Sequence, residues 1–324
     1  NSASAASTAS SADADALAGG TIDGAQLNSV DIGGVGSITG QTSFAGSADA
    51  TNVGAQDTSS LADATLLDAD GLEADNGINV SSDAGLTGLN TASLSSSAQS
   101  TGAGTGTTAT ADSDAGTLQG AQLTGTTDIG GVGSIGGQVS FSGASDAANV
   151  TGSASATSDL ALDQGEVVQG LDTTGKVDVK SDGTLQGISG LSLDATAATT
   201  NGQSAAFSQA GVVDGAQLGE VSIGGVGSIT GQNNLSGSAS SSNVEGGTSG
   251  ATSSLGNADG LEATSTIGIK SDGGLTGLNT VDLASSAAST SGSKATAASD
   301  AGTLQGAELG SETTIGGVGT IGGQ

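Results

Sequence analysis

The side chains best equipped for chemistry in this chain are carboxylates. Asp68, Asp70, Glu73 and Asp75 lie close together, and Asn257, Asp259 and Glu262 take similar places later. A Ser-Asp pair recurs at Asp83, Asp182 and Asp272. Oxygen-only clusters suit a hard cation such as Ca²⁺ rather than a transition metal. Asp68, Asp70, Glu73 and Asp75 are therefore the candidate Ca²⁺ ligands. The match is one of ligand type alone: Gly71 is not at the EF-hand position relative to Asp68, and the Ca²⁺-binding nonapeptide repeat is absent. The competing reading is a solvated acidic face that keeps the molecule soluble. Paired carboxylates also serve glycosidases, but those sites grip sugar through aromatic or Arg groups. Here there are three Phe, no Trp or Tyr, and no Arg.

Other chemistry is removed by missing residue types. Without His or Cys there is no common transition-metal site, no thiol chemistry, no disulfide framework and no His-activated Ser. The Gly-Gly-Val-Gly runs look like phosphate loops but lack the following Lys and the strand-then-helix setting, so they read as tight corners. Four Lys against 33 acids leave a net charge of -29, which repels nucleic acid. The four, Lys176, Lys180, Lys270 and Lys294, read as local partners for acids. No apolar run approaches the ~20 residues of a membrane span. The composition points away from an enzyme: no catalytic residue and no cofactor are expected beyond the candidate Ca²⁺. Ser/Thr runs such as residues 104–110 read either as O-glycan attachment sites or as plain polar strand or loop, and the sequence does not choose between them. Ice binding is disfavoured, because Thr-X-Thr does not recur regularly.

What must position these residues is a repeat. Gly-Ala-Gln-Leu, or Gly-Ala-Glu-Leu, begins at Gly24, Gly120, Gly215 and Gly306, and an Ile-Gly-Gly-Val-Gly run follows each time from Ile32, Ile129, Ile223 and Ile315. These long units recur at about 95-residue intervals. The chain divides into residues 1–23 (the end of a preceding repeat), 24–119, 120–214, 215–305 and 306–324 (the start of a fourth), forming one continuous body. The first and last residues, Asn1 and Gln324, fall inside repeats, so coils are expected to continue into another subunit or into further repeats. The Ser- and Ala-rich residues 1–18 read as the tail of a repeat rather than as a helix.

A shorter period lies inside the long one, with an aliphatic residue two positions before a Gly. Its strong copies are Ile22/Gly24, Ile38/Gly40, Leu86/Gly88, Leu118/Gly120, Ile135/Gly137, Val150/Gly152, Val168/Gly170, Leu185/Gly187, Val213/Gly215, Ile229/Gly231, Val244/Gly246, Leu275/Gly277, Leu304/Gly306 and Ile321/Gly323. Weaker copies stand at Gly54, Gly71, Gly102, Gly202, Gly260 and Gly292. The mean interval is about 16 residues, too short for helical-pair repeats. Pairs such as Leu191 with Leu193, Ile78 with Val80 and Ile267 with Ile269 alternate with period two, which puts both side chains on one strand face. Abundant Gly, Ser, Thr and Asp disfavour helix. The expected fold is all-β: a parallel β-helix-like solenoid of about 20 coils, ~16 residues per coil and six coils per ~95-residue repeat. The anchor Gly is assigned to a corner, supplying φ > 0 or close backbone approach. The expected shape is a thin rod of roughly 95 Å.

These Gly-anchored repeats resemble those of bacterial secreted β-solenoids: fibrous adhesins, surface-layer components and extracellular filament subunits. The resemblance is one of architecture and composition, and it carries over no catalytic residue. It implies an extracellular or cell-surface fibre or matrix subunit that self-associates by end-to-end coil stacking. The alternative it allows is the rod or stalk of an adhesin or other module binding a glycan, a surface or ice.

Overall fold

The computed structural model describes residues 2–8, 10–54, 56–160, 166–290 and 294–324. The described residues form 21 strands and no helix, and every strand pairing is parallel. The Ser- and Ala-rich start is strand too, at Ser2–Ser7 and Ser11–Leu27. The molecule is a parallel β-solenoid.

One circuit is much longer than the short sequence period. Gly133 lies beside Gly183 on the next rung, and Gly183 beside Gly227 on the rung after that. The expected 16-residue coil is therefore wrong by a factor of about three, and each ~95-residue repeat is two circuits. A circuit consists of a long strand, a short strand and a second long strand, for example Ser59–Ala74, Gly77–Val80 and Ala84–Ser100. Six circuits are complete, and a seventh runs from Ala295 to Gly323. At ~4.8 Å per rung, seven circuits stack to roughly 34 Å, while a 17-residue strand spans about 56 Å. The shape is a broad slab rather than a thin rod.

The strong Gly anchors explain the mismatch. Each circuit carries two waist anchors, all of them strong copies except Gly71 and Gly260, one short period apart: Gly24 and Gly40, Gly71 and Gly88, Gly120 and Gly137, and so on to Gly306 and Gly323. They sit within the long strands, where the two strands of the circuit cross back to back. A Cβ on Gly40 would run into the carbonyl oxygen of Gly71, and one on Gly137 into that of Gly170. The same collision recurs at Gly88, Gly187, Gly231 and Gly277. The glycines are needed for close backbone approach at a waist, and none of these has positive φ. The remaining anchors, such as Gly152 (φ 102°) and Gly246 (φ 128°), do turn corners, with Val150 and Val244 pointing to solvent. Gly292 lies outside the described residues. Three anchors thus make one circuit: two at the waist and one at the far turn.

The waist divides the core into two clusters that share no residue. The smaller lobe is wrapped by the segment between paired glycines and filled by Leu, Ile and Val, among them Leu72, Ile78, Val80 and Leu86. The larger lobe is lined mainly by Ala, with Ser and a few large residues. In both lobes alternate residues point inward, as the period-two pairs require. Of the aliphatic anchors, Leu86, Leu118, Ile135, Val168, Leu185, Val213, Ile229 and Leu275 are buried. Ile22 and Ile38 are half-buried in the first circuit, and Leu304 and Ile321 are exposed in the last.

Successive circuits are of two kinds. The first, third, fifth and seventh read Gly-Ala-x-Leu at the waist and turn through Gly-Gly-Val-Gly. The second, fourth and sixth read Gly-Leu-x-Ala or Gly-Leu-x-Thr and turn through Ser-Asp. Large stacks on small: Ala25, Leu72, Ala121, Leu171, Ala216, Leu261 and Ala307 form one inward column. The larger lobe does the same. A Cβ on Gly46 would lie 3.0 Å from Leu94 of the next circuit, and one on Gly143 would lie 3.2 Å from Leu193. Each Leu fills a notch left by Gly. The long repeat is the period of this alternation of large and small residues.

Gly137→Ala is expected to destabilise the fold by about 3 kcal/mol, because the backbones on both sides must move. Gly136→Ala, whose Cβ would meet only Gln186 O at 3.9 Å, is the control and should be near neutral. Denaturant unfolding of the two variants checks this.

Candidate functional site

The waist also shapes the outer surface. On the strand entering it, the ladder pairs Leu66, Asp68, Ala69, Asp70 and Leu72 but skips Leu67 and Gly71. The pairing offset is the same on both sides of each gap, so both strands leave the ladder together, and we read each gap as a bend in the strand. We attribute to this bend the cover over side chains that point outward here: Gln119, Gln169, Asp172 and Asp214 are only 3–6 % exposed. The bend also takes carbonyls out of the ladder, and Asn side chains from the facing strand serve them. Asn233 Nδ2 donates to Val213 O at 3.0 Å and Asp259 O at 2.9 Å, and Asn279 Nδ2 to Ala258 O at 2.9 Å and Gln305 O at 2.7 Å.

Two polar columns run along this groove. One is Asp23, Asp70, Gln119, Gln169, Asp214, Asp259 and Gln305. The other is Gln26, Glu73, Gln122, Asp172, Gln217, Glu262 and Glu308. Gln separates many of the acids and donates to them. Gln26 Nε2 bonds Glu73 at 2.8 Å, Gln217 Nε2 bonds Glu262 at 2.8 Å, and Gln169 Nε2 reaches Gln217 at 3.0 Å and Asp214 at 3.4 Å. Where acid stacks on acid the spacer is missing. Asp23, Asp70 and Glu73 bring one oxygen each within 4.8 Å of one another. The Oδ1 atoms of Asp70, Asp172, Asp214 and Asp259 are buried and accept no hydrogen bond.

Electrostatics follow from this burial. Loss of hydration, then the charges of Asp23, Glu73 and Asp68, push Asp70 up to about 7. Asp214 is likewise pushed to about 7 by burial, against a hydrogen bond from Gln169 and with the charges of Asp259, Glu262 and Asp172 adding to the rise. Asp172 rises to about 6 through burial, opposed by hydrogen bonds from Gln122 and Thr174. Asp259 is raised too, by burial and then by Glu262 and Glu308. A second acidic group lies farther along the same face. Asp63, Asp112, Asp114 and Asp159 surround a notch of about 320 Å³ with Thr65 and Thr157. Burial, then Asp114 and Asp112, lift Asp159 to about 7.

Of the four candidate Ca²⁺ ligands, Asp70 and Glu73 share the convergent group, Asp68 contributes to its field, and Asp75 is exposed at the start of the next turn, outside the group. The third member, Asp23, belongs to the circuit before that of Asp70 and was not picked out from the sequence. Its signal was the long register, which the 16-residue reading hid. Asp259 and Glu262 occupy the same columns as Asp70 and Glu73. In the 104–110 run, Thr105 is exposed on the far turn and Thr107 is buried. Lys176 pairs with Glu220 at 2.7 Å and Lys180 with Asp178, both at the surface.

The Ser-Asp turns have a structural task. Asp83 Oδ1 accepts the Val132 N–H at 2.8 Å, Asp182 that of Val226 at 2.7 Å, and Asp272 that of Val318 at 2.7 Å. Each carboxylate caps the Gly-Gly-Val-Gly turn of the next circuit. A Cβ on Gly131, Gly225 or Gly317 would strike it. The glycine runs bind a carboxylate of their own chain.

The fold defines a class, the parallel β-solenoids, and the groove marks this one by acids and amides alone. Comparison with known families, with curated proteins and with solved structures finds no match for the chain.

A carboxyl group whose pKa is raised on folding favours the protonated state. The folded chain then binds more protons than the unfolded one between about pH 4 and 7, so stability falls as pH rises through that window. The melting temperature is expected to be higher at pH 5 than at pH 8. Asp214→Asn should raise it at pH 8 by roughly 2–4 °C and leave it nearly unchanged at pH 4. Thermal melts across pH for both proteins check the sign.

Proposed function

We propose that this chain is a structural element of an extracellular fibre or matrix, extended by end-to-end stacking of further coils. The observation that carries this reading is the parallel stacking: among the described residues each circuit lies on the next through paired parallel strands and the same waist, despite register shifts such as that between Ala18 and Thr21. A coil gains most of its stability from its neighbours, and the same backbone edge that takes a coil of its own chain is available to one of another chain. The net charge of -29 supports the reading by limiting sideways clumping of fibres. The resemblance to secreted bacterial solenoids supports the extracellular setting. The reading is non-enzymatic, in keeping with a sequence that lacks His, Cys and Arg.

Electron microscopy and fibre diffraction of concentrated protein test it. The expected result is filaments with a reflection near 4.8 Å along their axis, about the spacing of paired strands. Single particles of one size at every concentration would overturn it.

A second reading concerns the ion. Asp23, Asp70 and Glu73 converge without a donor for the buried Asp70 Oδ1, and a divalent cation would relieve the repulsion that a proton otherwise relieves. Millimolar Ca²⁺ is expected to raise the melting temperature at pH 8, and Glu73→Gln to reduce that rise. An equal rise in both proteins would leave only general screening.

A further inference from the structure

The two kinds of circuit make the stacking edge selective. We propose that a glycine-turn edge, seen bare in the first circuit around Gly34 and Val35, is a docking surface for a coil of the aspartate-turn kind, and that it discriminates against a coil of its own glycine-turn kind. This rests on the stacking function proposed above and adds the identity of the partner coil.

The argument is a template seen three times within the chain. Wherever a Gly-Gly-Val-Gly turn follows another circuit, that circuit supplies an Asp carboxylate to the Val N–H, at 2.7–2.8 Å. The Ser before that Asp supplies a carbonyl to the second Gly N–H, at 2.9–3.0 Å. The second Gly is required because the carboxylate occupies the space of its Cβ. The first-circuit turn has the same sequence and an empty receptor: a Cβ on Gly34 would meet nothing within 4 Å, and Val35 is 75 % exposed.

A glycine-turn coil placed on this edge brings no carboxylate. It also sets Ala on Ala and Leu on Leu at the waist, where the interior sets Leu on Ala or, at Thr173, on Thr. The last circuit, Gly306-Ala307-Glu308-Leu309 with its turn through Val318, is also of the glycine-turn kind. A junction of the seventh circuit with the first is therefore out of phase. A chain that presents an aspartate-turn circuit meets the first circuit in phase.

The test keeps the full chain and appends a copy of residues 233–278 after Gln324. Gln324 is equivalent to Gln232, because Gly323 pairs with Gly277 and Gly277 with Gly231. The appended segment adds an eighth circuit of the aspartate-turn kind. Filament onset is followed by light scattering and electron microscopy. The extended chain is expected to assemble at a concentration about tenfold lower than the original chain. Gly34→Ala in the extended chain should return the threshold to the higher value, because its Cβ meets nothing until the carboxylate arrives. The melting temperature of its dispersed form should stay that of the extended parent. Equal thresholds for the two chains, or no effect of Gly34→Ala, would overturn the selectivity and leave stacking intact. Failure of both chains to assemble at any concentration would overturn stacking itself.

Discussion

Two backbones touch at the waist, and no side chain is allowed between them. Fourteen glycines in seven pairs hold that approach, the members of each pair one short period apart. Because the strands meet there, the cross-section closes into two lobes instead of one wide cavity that small side chains would fail to fill. The smaller lobe takes branched aliphatic residues. The larger brings two Ala- and Ser-lined faces together, which suits a chain with only three Phe. The same approach bends the entering strand, and the bend covers the outward Asp and Gln side chains.

Close packing of identical coils raises a problem of its own. Some columns stack large on large throughout, as in Ile38, Leu86, Ile135, Leu185, Ile229 and Leu275, but in the narrow columns at the waist a large residue on every rung would overfill the space and a small one would leave a void. Alternating Ala with Leu at the waist, and Gly with Leu in the larger lobe, solves both. It doubles the repeat to two circuits. The capping of Gly-Gly-Val-Gly by Asp follows the same two-circuit beat at the surface. A slip by one circuit would mismatch core and turns together, so register is fixed at two independent places.

The acidic groove is the least stable feature of an otherwise regular stack. Buried carboxylates there are held near neutrality, and Gln spacers break the column where they can. Such an arrangement costs stability as the groups ionise, and it makes the stack responsive to protons. A solenoid tolerates this because its stability is shared among neighbouring rungs.

Composition and spacing alone determined that the chain is all-β, parallel and repetitive. Period-two pairs such as Ile267 with Ile269 require strands, and missing residue types remove most chemistry. The Gly anchors were legible too, but their meaning was not. Ile22 and Ile38 stand one short period apart because the chain rounds the smaller lobe between them, whereas Ile38 and Leu86 are one circuit apart. A sequence period records every return to a similar environment, and only the hydrogen-bond register tells a return on the same rung from a return on the next. For the same reason Asp70 and Glu73 were visible as neighbours in sequence, while Asp23 joined them only when strands of successive circuits were laid side by side. Burial, which shifts these acids, depends on a bend that no single strand encodes by itself.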